Sequence, residues 1–193
     1  MKNMELQVEG VSERYVVNSN ISRFTVQAFA GGLLSAFGHN PVIAISDYSG
    51  EINLAEEMDQ SSVAIKIQSS SLQVASEVND KDRREIERIM QEQILQTSQF
   101  PQIVYRCSRI AASKTAEGQY WAALNGELTL HGVTRNLSIP TRIAVYGETL
   151  KASGSFSILQ SDYSISAVSV VGGSLRVKDE IKLSFDMAAR RLG

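Results

Sequence analysis

The sequence predicts an all-β fold, a meander of strands that closes into a barrel or sandwich with one short helix beside it. Three observations predict it. Apolar and polar residues alternate at period two through much of the chain, glycines punctuate these runs at short intervals, and a single stretch carries helical spacing.

The strands follow in order. Val63, Ile65 and Ile67 share one face while Lys66 falls on the other. Ile103, Tyr105 and Cys107 alternate against Arg106 and Ser108, and Tyr120, Ala122, Leu124, Leu128 and Leu130 share a parity. Leu137, Ile139, Thr141, Ile143 and Val145 point one way, with Pro140 between them. Proline donates nothing to a ladder, so this strand is expected at an edge or with a bulge there. Ile181, Leu183, Phe185 and Met187 alternate with Lys182, Ser184 and Asp186. Between Leu130 and Arg135 the short link His131-Gly132-Val133-Thr134 reads as a β-hairpin turn, since Gly132 supplies a permissive φ.

The helix is expected over 82–96, where Ile86, Ile89, Met90 and Ile94 recur at helical spacing. Asp82-Arg83-Arg84-Glu85 resembles a capping box with an acid in place of the hydroxyl, and Phe100-Pro101 is expected to stop the helix. Arg84, Glu87, Arg88 and Glu92 form its solvated face, so it is expected to cover a barrel end.

With 193 residues the chain fits one domain, 1–193, and residues 1–13 are expected to form a flexible extension. The 19 basic and 21 acidic residues give a net charge of -2, which leaves no field to attract nucleic acid or an anionic bilayer. Cys107 is the single cysteine, so no disulfide forms within the chain. The N-terminus has no apolar core of a signal peptide, and no apolar run approaches the roughly 20 residues of a membrane span. A cytoplasmic location is the expectation.

Candidate chemistry is thin. The histidines are His39 and His131, and no H-x-x-x-H or C-x-x-C spacing exists to hold a metal. His39 lies in Phe37-Gly38-His39-Asn40-Pro41, where an imidazole can satisfy backbone groups or line a cavity mouth. His131 reads as a turn residue, Cys107 as a buried small hydrophobe, and Asp162 and Asp179 as turn or surface acids. Gly31-Gly32 lacks the lysine and helix start of a phosphate cradle. No enzyme, cofactor or metal is expected. What stands out is apolar surface: Phe24, Val26, Ala28 and Ala30 lead into Gly32-Leu33-Leu34-Ser35-Ala36-Phe37. Small residues facing a barrel interior leave volume unfilled, which suits a lipid; the alternative is that these residues only complete the core.

Phe100-Pro101-Gln102-Ile103-Val104-Tyr105, followed by Gly126-Glu127-Leu128-Thr129-Leu130-His131-Gly132-Val133-Thr134-Arg135, resembles the YceI-like, polyisoprenoid-binding family. Gly38-His39-Asn40-Pro41 with Tyr48-Ser49-Gly50-Glu51-Ile52 is similar to the family's first strand pair. Val78-Asn79-Asp80-Lys81-Asp82-Arg83 is similar to its strand-to-helix junction. Gln160-Ser161-Asp162-Tyr163-Ser164-Ile165 and Val177-Lys178-Asp179-Glu180-Ile181 are similar to its last strand pair. The matches run in family order from about residue 15 to about residue 190.

The resemblance implies an antiparallel lipocalin-like β-barrel of about eight strands whose apolar tunnel holds an isoprenoid chain, such as a quinone tail or polyprenyl alcohol. Its members are often dimers, so a homodimer is compatible. Many carry a signal peptide, which this chain lacks, and that points to a cytosolic branch. The residues expected to face the tunnel are Phe29, Leu34, Phe37, Tyr105, Leu128, Leu130, Phe156 and Tyr163, with His39 meeting a polar head at the mouth. Two other readings stay open: a filled barrel serving as a structural or stress-related interaction domain, and a lipid-modifying enzyme. The first reading predicts that Leu130→Glu abolishes lipid binding or unfolds the barrel. A folded Leu130→Glu protein that binds as the parent does, measured by ligand titration, would remove Leu130 from the tunnel wall.

Overall fold

The computed structural model describes residues 12–32, 41–166, 169–170 and 175–193. In chain order these form β1 Glu13–Val17, β2 Arg23–Gly32, β3 Val42–Ile45, β4 Tyr48–Leu54, β5 Ser62–Gln68, β6 Leu72–Val74, α1 Asp80–Ile89, β7 Gln102–Ala116, β8 Gln119–Leu130, β9 Val133–Tyr146, β10 Thr149–Leu159, β11 Ser169–Val170 and β12 Leu175–Arg191.

 Every pairing among them is antiparallel. The short strands join in pairs into bent staves, β1 with β2, β3 with β4 and β5 with β6. With β7, β8, β9, β10 (Thr149–Leu159) and β12 they make eight staves in meander order. The ring closes because β12 pairs with β10 along one edge and with β1 and then β2 along the other.

Alternation sets which side chains point inward, and the burial follows it. Val63 and Ile65, Leu124, Leu128 and Leu130, Ile139 and Ile143, and Phe185 and Met187 are all buried. In β7 the parity switches across a bulge between Cys107 and Arg109, so that Ile103, Tyr105 and Cys107 face in before it and Ile110 after it. Gly126 lies opposite Cys107, where a Cβ would stand 2.7 Å from the Cys107 Cα and collide with the Arg106 carbonyl. Only glycine fits beside that bulge. The hairpin turn has two residues, His131 at φ 51° and Gly132 at φ 74°, between the paired Leu130 and Val133. Both positive angles suit a type I′ reversal. Pro140 sits where the β9–β10 ladder ends, the last pair being Thr141 with Gly154, so the strand behaves there as an edge.

The helix starts earlier than its spacing predicts. Asn79 is the cap: its side-chain oxygen accepts from the Asp82 N–H at 2.9 Å, and its amide donates to the Asp82 carboxylate at 2.6 Å. The motif one turn later therefore lies inside the helix. Beyond Ile89 the chain continues as a π-helical turn, Met90–Ile94, and Gln96 ends it in the left-handed region at φ 47°, ahead of Phe100-Pro101. Ile89, Met90 and Leu95 are buried. The polar side of the segment also has work in the fold. Among the described residues no strand lies beyond β6, and side chains of the helical segment bind its outer edge: Glu87 accepts from the Val74 N–H at 2.9 Å, Arg83 donates to the Val74 carbonyl at 2.6 Å, and Gln91 donates to the Leu72 carbonyl at 3.0 Å. Glu87, expected on the solvated face, is thus an edge cap.

Four buried phenols tie stability to alkaline pH. Tyr15 is fully buried and donates to Glu13 at 2.8 Å; burial first, and then the Glu13 carboxylate, push its phenol up to about 12. Burial likewise raises Tyr48, Tyr105 and Tyr163. The native state favours the protonated phenols, so their contribution is complete below the ordinary tyrosine value of about 10 and falls as pH rises through and beyond it. Denaturant melts between about pH 9 and about pH 12 should show declining stability, with tyrosinate absorbance appearing late. Free ionisation of all tyrosines near the ordinary value, with stability unchanged, would contradict this.

Candidate functional site

The barrel interior is the candidate site, and its two ends differ. Around β1, β4 and the paired lengths of β9 and β10 the inward side chains pack to near-complete burial: Tyr15, Ile52, Ile110, Leu150, Met187 and Ala189 among them. Across the middle lies an aromatic group. Phe24 meets Tyr48 edge-on at 4.8 Å between centroids and Phe185 at 6.0 Å. Phe185 has its room because Gly154 lies opposite; a Cβ there would stand 2.8 Å from the Phe185 ring.

Below the aromatics the rungs are apolar and incompletely covered. One rung runs Phe156, Leu183, Val26, Ile43, Val74 across five strands. Ile43 and Val74 are buried, whereas Phe156, Leu183 and Val26 are only partly so, although they pack against the core. The next rung, Ile158, Ile181 and Ala28, repeats this, with Ile158 buried and Ile181 half-buried. These inward-facing apolar groups keep part of their surface uncovered.

The wall itself is interrupted on this side. Below Thr141 and Gly154 the strands β9 and β10 no longer pair, and a cleft of about 630 Å³ lies between them. Leu137, Ile158 and Tyr163 line it together with Arg135, Asn136, Ser157, Leu159, Asp162 and Glu180. Ile158 and Tyr163 also belong to the buried core, and Leu137 packs against it, so the cleft abuts the interior. A 3-10 turn, Gln160–Tyr163, sits at its lower end. Arg135 Nε donates to the Asp162 carbonyl at 3.0 Å, and His131 Nδ1 lies 3.3 Å from the Tyr163 carbonyl. From the other side Asp179 accepts from the Ser161 N–H at 2.7 Å, and Gln160 donates to the Lys178 carbonyl at 3.0 Å. Bonds from the Ser161 hydroxyl and then the Ser161 N–H hold the Asp179 carboxyl below its usual range. Both acids read from the sequence as turn residues belong to this cluster.

Of the residues expected at the tunnel, Tyr105, Leu128, Leu130 and Tyr163 lie in the buried core and Phe156 packs against it. Tyr105 spends its hydroxyl on the backbone, donating to the Leu124 carbonyl at 2.7 Å with Leu137 O at 3.3 Å. Phe29 needs correction. In β2 it has the parity opposite to Phe24, Val26 and Ala28, which puts it on the outer face, and it is not packed against the core. Leu34, Phe37 and His39 lie outside the described residues. The half-buried Val26, Ile181 and Leu183 were absent from the expected lining, although the alternation that sets them is plain in the sequence. No sequence signal marks the cleft except Pro140, which ends its ladder.

Groups that could support catalysis are poorly placed for it. Cys107 is buried, contacts the Arg109 carbonyl through Sγ at 3.2 Å, and burial pushes its thiol up. A thiol held protonated is a weak nucleophile. Among the described residues no group of three or more His, Cys, Asp or Glu side chains is placed to hold a metal ion. No helix among them is long and apolar enough to cross a membrane.

Similar folds occur among solved structures. BcnA of Burkholderia cenocepacia superposes with a TM-score of 0.68 at 17% identity, over 89% of this chain and 98% of that one. A polyisoprenoid binding domain from Saccharophagus degradans, implicated in plant cell wall breakdown, gives 0.66 at 11% identity, over 92% and 98%. The YCEI protein of Campylobacter jejuni gives 0.55 at 16% identity, over 78% and 85%. No curated protein sequence matches the chain. The model of the YceI-like domain matches residues 14–189, nearly the whole barrel from β1 to the end of β12. By that match the chain belongs to the YceI-like family.

Proposed function

We propose that the lower barrel interior binds an isoprenoid or other long-chain apolar lipid, and that the protein acts as a carrier, store or sensor of it rather than as an enzyme. One observation carries the reading: Val26, Phe156, Ile181 and Leu183 point inward yet stay only partly buried. Covering such surface stabilises a complex by roughly 25 cal/mol per Å² of apolar area, so a branched hydrocarbon tail can be held without a charge pair. Leu128, Leu130 and Tyr163 complete the wall in this reading, and a homodimer is compatible with it. The family match and the likeness to a polyisoprenoid binding domain support the ligand class.

Native mass spectrometry with organic extraction, on protein from its own host, tests it. The expected result is a stoichiometric isoprenoid or quinone-like adduct that is lost on denaturation. A clean mass before and after incubation with quinones and polyprenols would overturn the reading in favour of a filled-barrel interaction domain.

A further inference from the structure

On the outside of the barrel, β8, β9, β10 and β12 present one continuous face whose side chains are set by register. Trp121 pairs with Arg142, Arg142 with Ser153, and Ser153 with Asp186, one row across four strands. Trp121 is the chain's single tryptophan and is 49% exposed, while Tyr120 and Ala122 on either side of it pack into the core. Water is a poor surrounding for so large an apolar ring. The ring is nonetheless held in place, because the Arg142 guanidinium sits 4.3 Å from its centroid. Tyr146, 55% exposed, shares the face and accepts from the Gln119 amide at 3.0 Å.

Beside the indole the surface is hollow. A groove of about 400 Å³ is lined by Trp121, Arg142, Ala144, Lys151, Ser153 and Asp186, and the short side chains of Ala144 and Ser153 leave the room. The next row down pairs Ala123 with Pro140 and Ser155 with Ser184, so no long side chain there holds another surface off. Among the described residues, Arg142, Lys151 and Asp186 are in no ion pair. The face therefore carries a projecting ring and a hollow, two cations and an anion. A partner of one charge matches half of this. A second copy matches all of it, because a two-fold contact sets the same patch against itself. A two-fold axis along the strands, between β9 and β10, exchanges the first member of the row with the fourth and the second with the third. Trp121 of one copy then stands at the Asp186 end of the other's groove, where its indole N–H can donate to that carboxylate. Arg142 lies diagonal to the same carboxylate, and both contacts occur twice.

We propose that the outer face of β8, β9, β10 and β12 docks on the same face of a second copy of this chain, with Trp121 of each copy seated in the groove of the other. Tryptophan and arginine are the side chains that most often anchor interfaces, and here each holds the other in position before contact. The proposal is independent of what the barrel interior binds.

Because Trp121 is the only tryptophan, its fluorescence reports on this face alone. The test follows sedimentation and tryptophan emission of the full chain over a concentration series. The expected result is a monomer–dimer equilibrium in which emission moves to shorter wavelength in step with the dimer fraction. Asp186→Arg sets like charges together at both symmetric contacts and should raise the dimer dissociation constant about a hundredfold, roughly tenfold for each. Residue 186 is exposed, so circular dichroism should show that variant folded as the parent. Adding Arg142→Asp to it restores opposite signs and should recover association, which a merely misfolded variant would not do. A chain that stays monomeric at every concentration would overturn the proposal and leave the face to a different partner or to solvent. A dimer whose emission does not move, or whose dissociation constant is unchanged by Asp186→Arg, would overturn it too, since that dimer forms through another face.

Discussion

The fold depends on the double pairing of β12. At 17 residues it extends about 55 Å, enough to run the height of the barrel. One edge takes β10 from Thr149 to Leu159, and the other takes β1 and then β2. Without that second edge the meander would be an open sheet with two exposed strands. Closure then dictates the rest. Once Phe185 and Met187 face inward, register makes Phe24 inward on β2 and Gly154 the residue opposite on β10. The regular ladder from β12 to β2 breaks between Val177 and Ile181, and residues inside that break hold the Gln160–Tyr163 turn through the Lys178 carbonyl and the Asp179 carboxylate. The irregularity in the closing strand therefore places the turn at the foot of the cleft.

Two of the edges that escape the ladder are treated differently. The outer edge of β6 is bound bond by bond by Arg83, Glu87 and Gln91 of the helical segment. Side chains of a helix there replace a missing strand. Between β9 and β10 nothing comparable bridges the gap above the 3-10 turn, and the cleft is left between them. Unpaired backbone tolerates water or a polar ligand but not a dry apolar cover. The barrel is thus sealed along one edge by side chains and left open along the other.

Much of this architecture was legible because a strand with one buried face writes its geometry into every second residue. Ile181 to Met187 and Leu137 to Val145 gave their faces directly, and His131-Gly132 gave the hairpin. The helix start was misplaced by one turn because Asn79 caps through an amide whose meaning depends on Asp82 being in reach. Phe29, expected at the tunnel, has the parity opposite to Phe24 and Val26 in its own strand. The cleft was not legible at all. It arises from two strands parting after they have paired, and neither strand alone changes its pattern where that happens. Pro140 hinted at an edge, but a proline cannot say how far the neighbour then diverges.

The interior's polar groups are spent on the protein's own backbone. Tyr105 gives its hydroxyl to backbone carbonyls, Thr141 donates to the Ile139 carbonyl at 3.1 Å, and the Cys107 thiol contacts the Arg109 carbonyl. Each is satisfied locally. Among the described residues two buried side-chain atoms are left without a partner, Gln91 Oε1 beside the sealed edge and His131 Nε2 in the β8–β9 turn. Apolar area alone binds any tail of the right girth, since dispersion and water release scarcely distinguish one hydrocarbon from another.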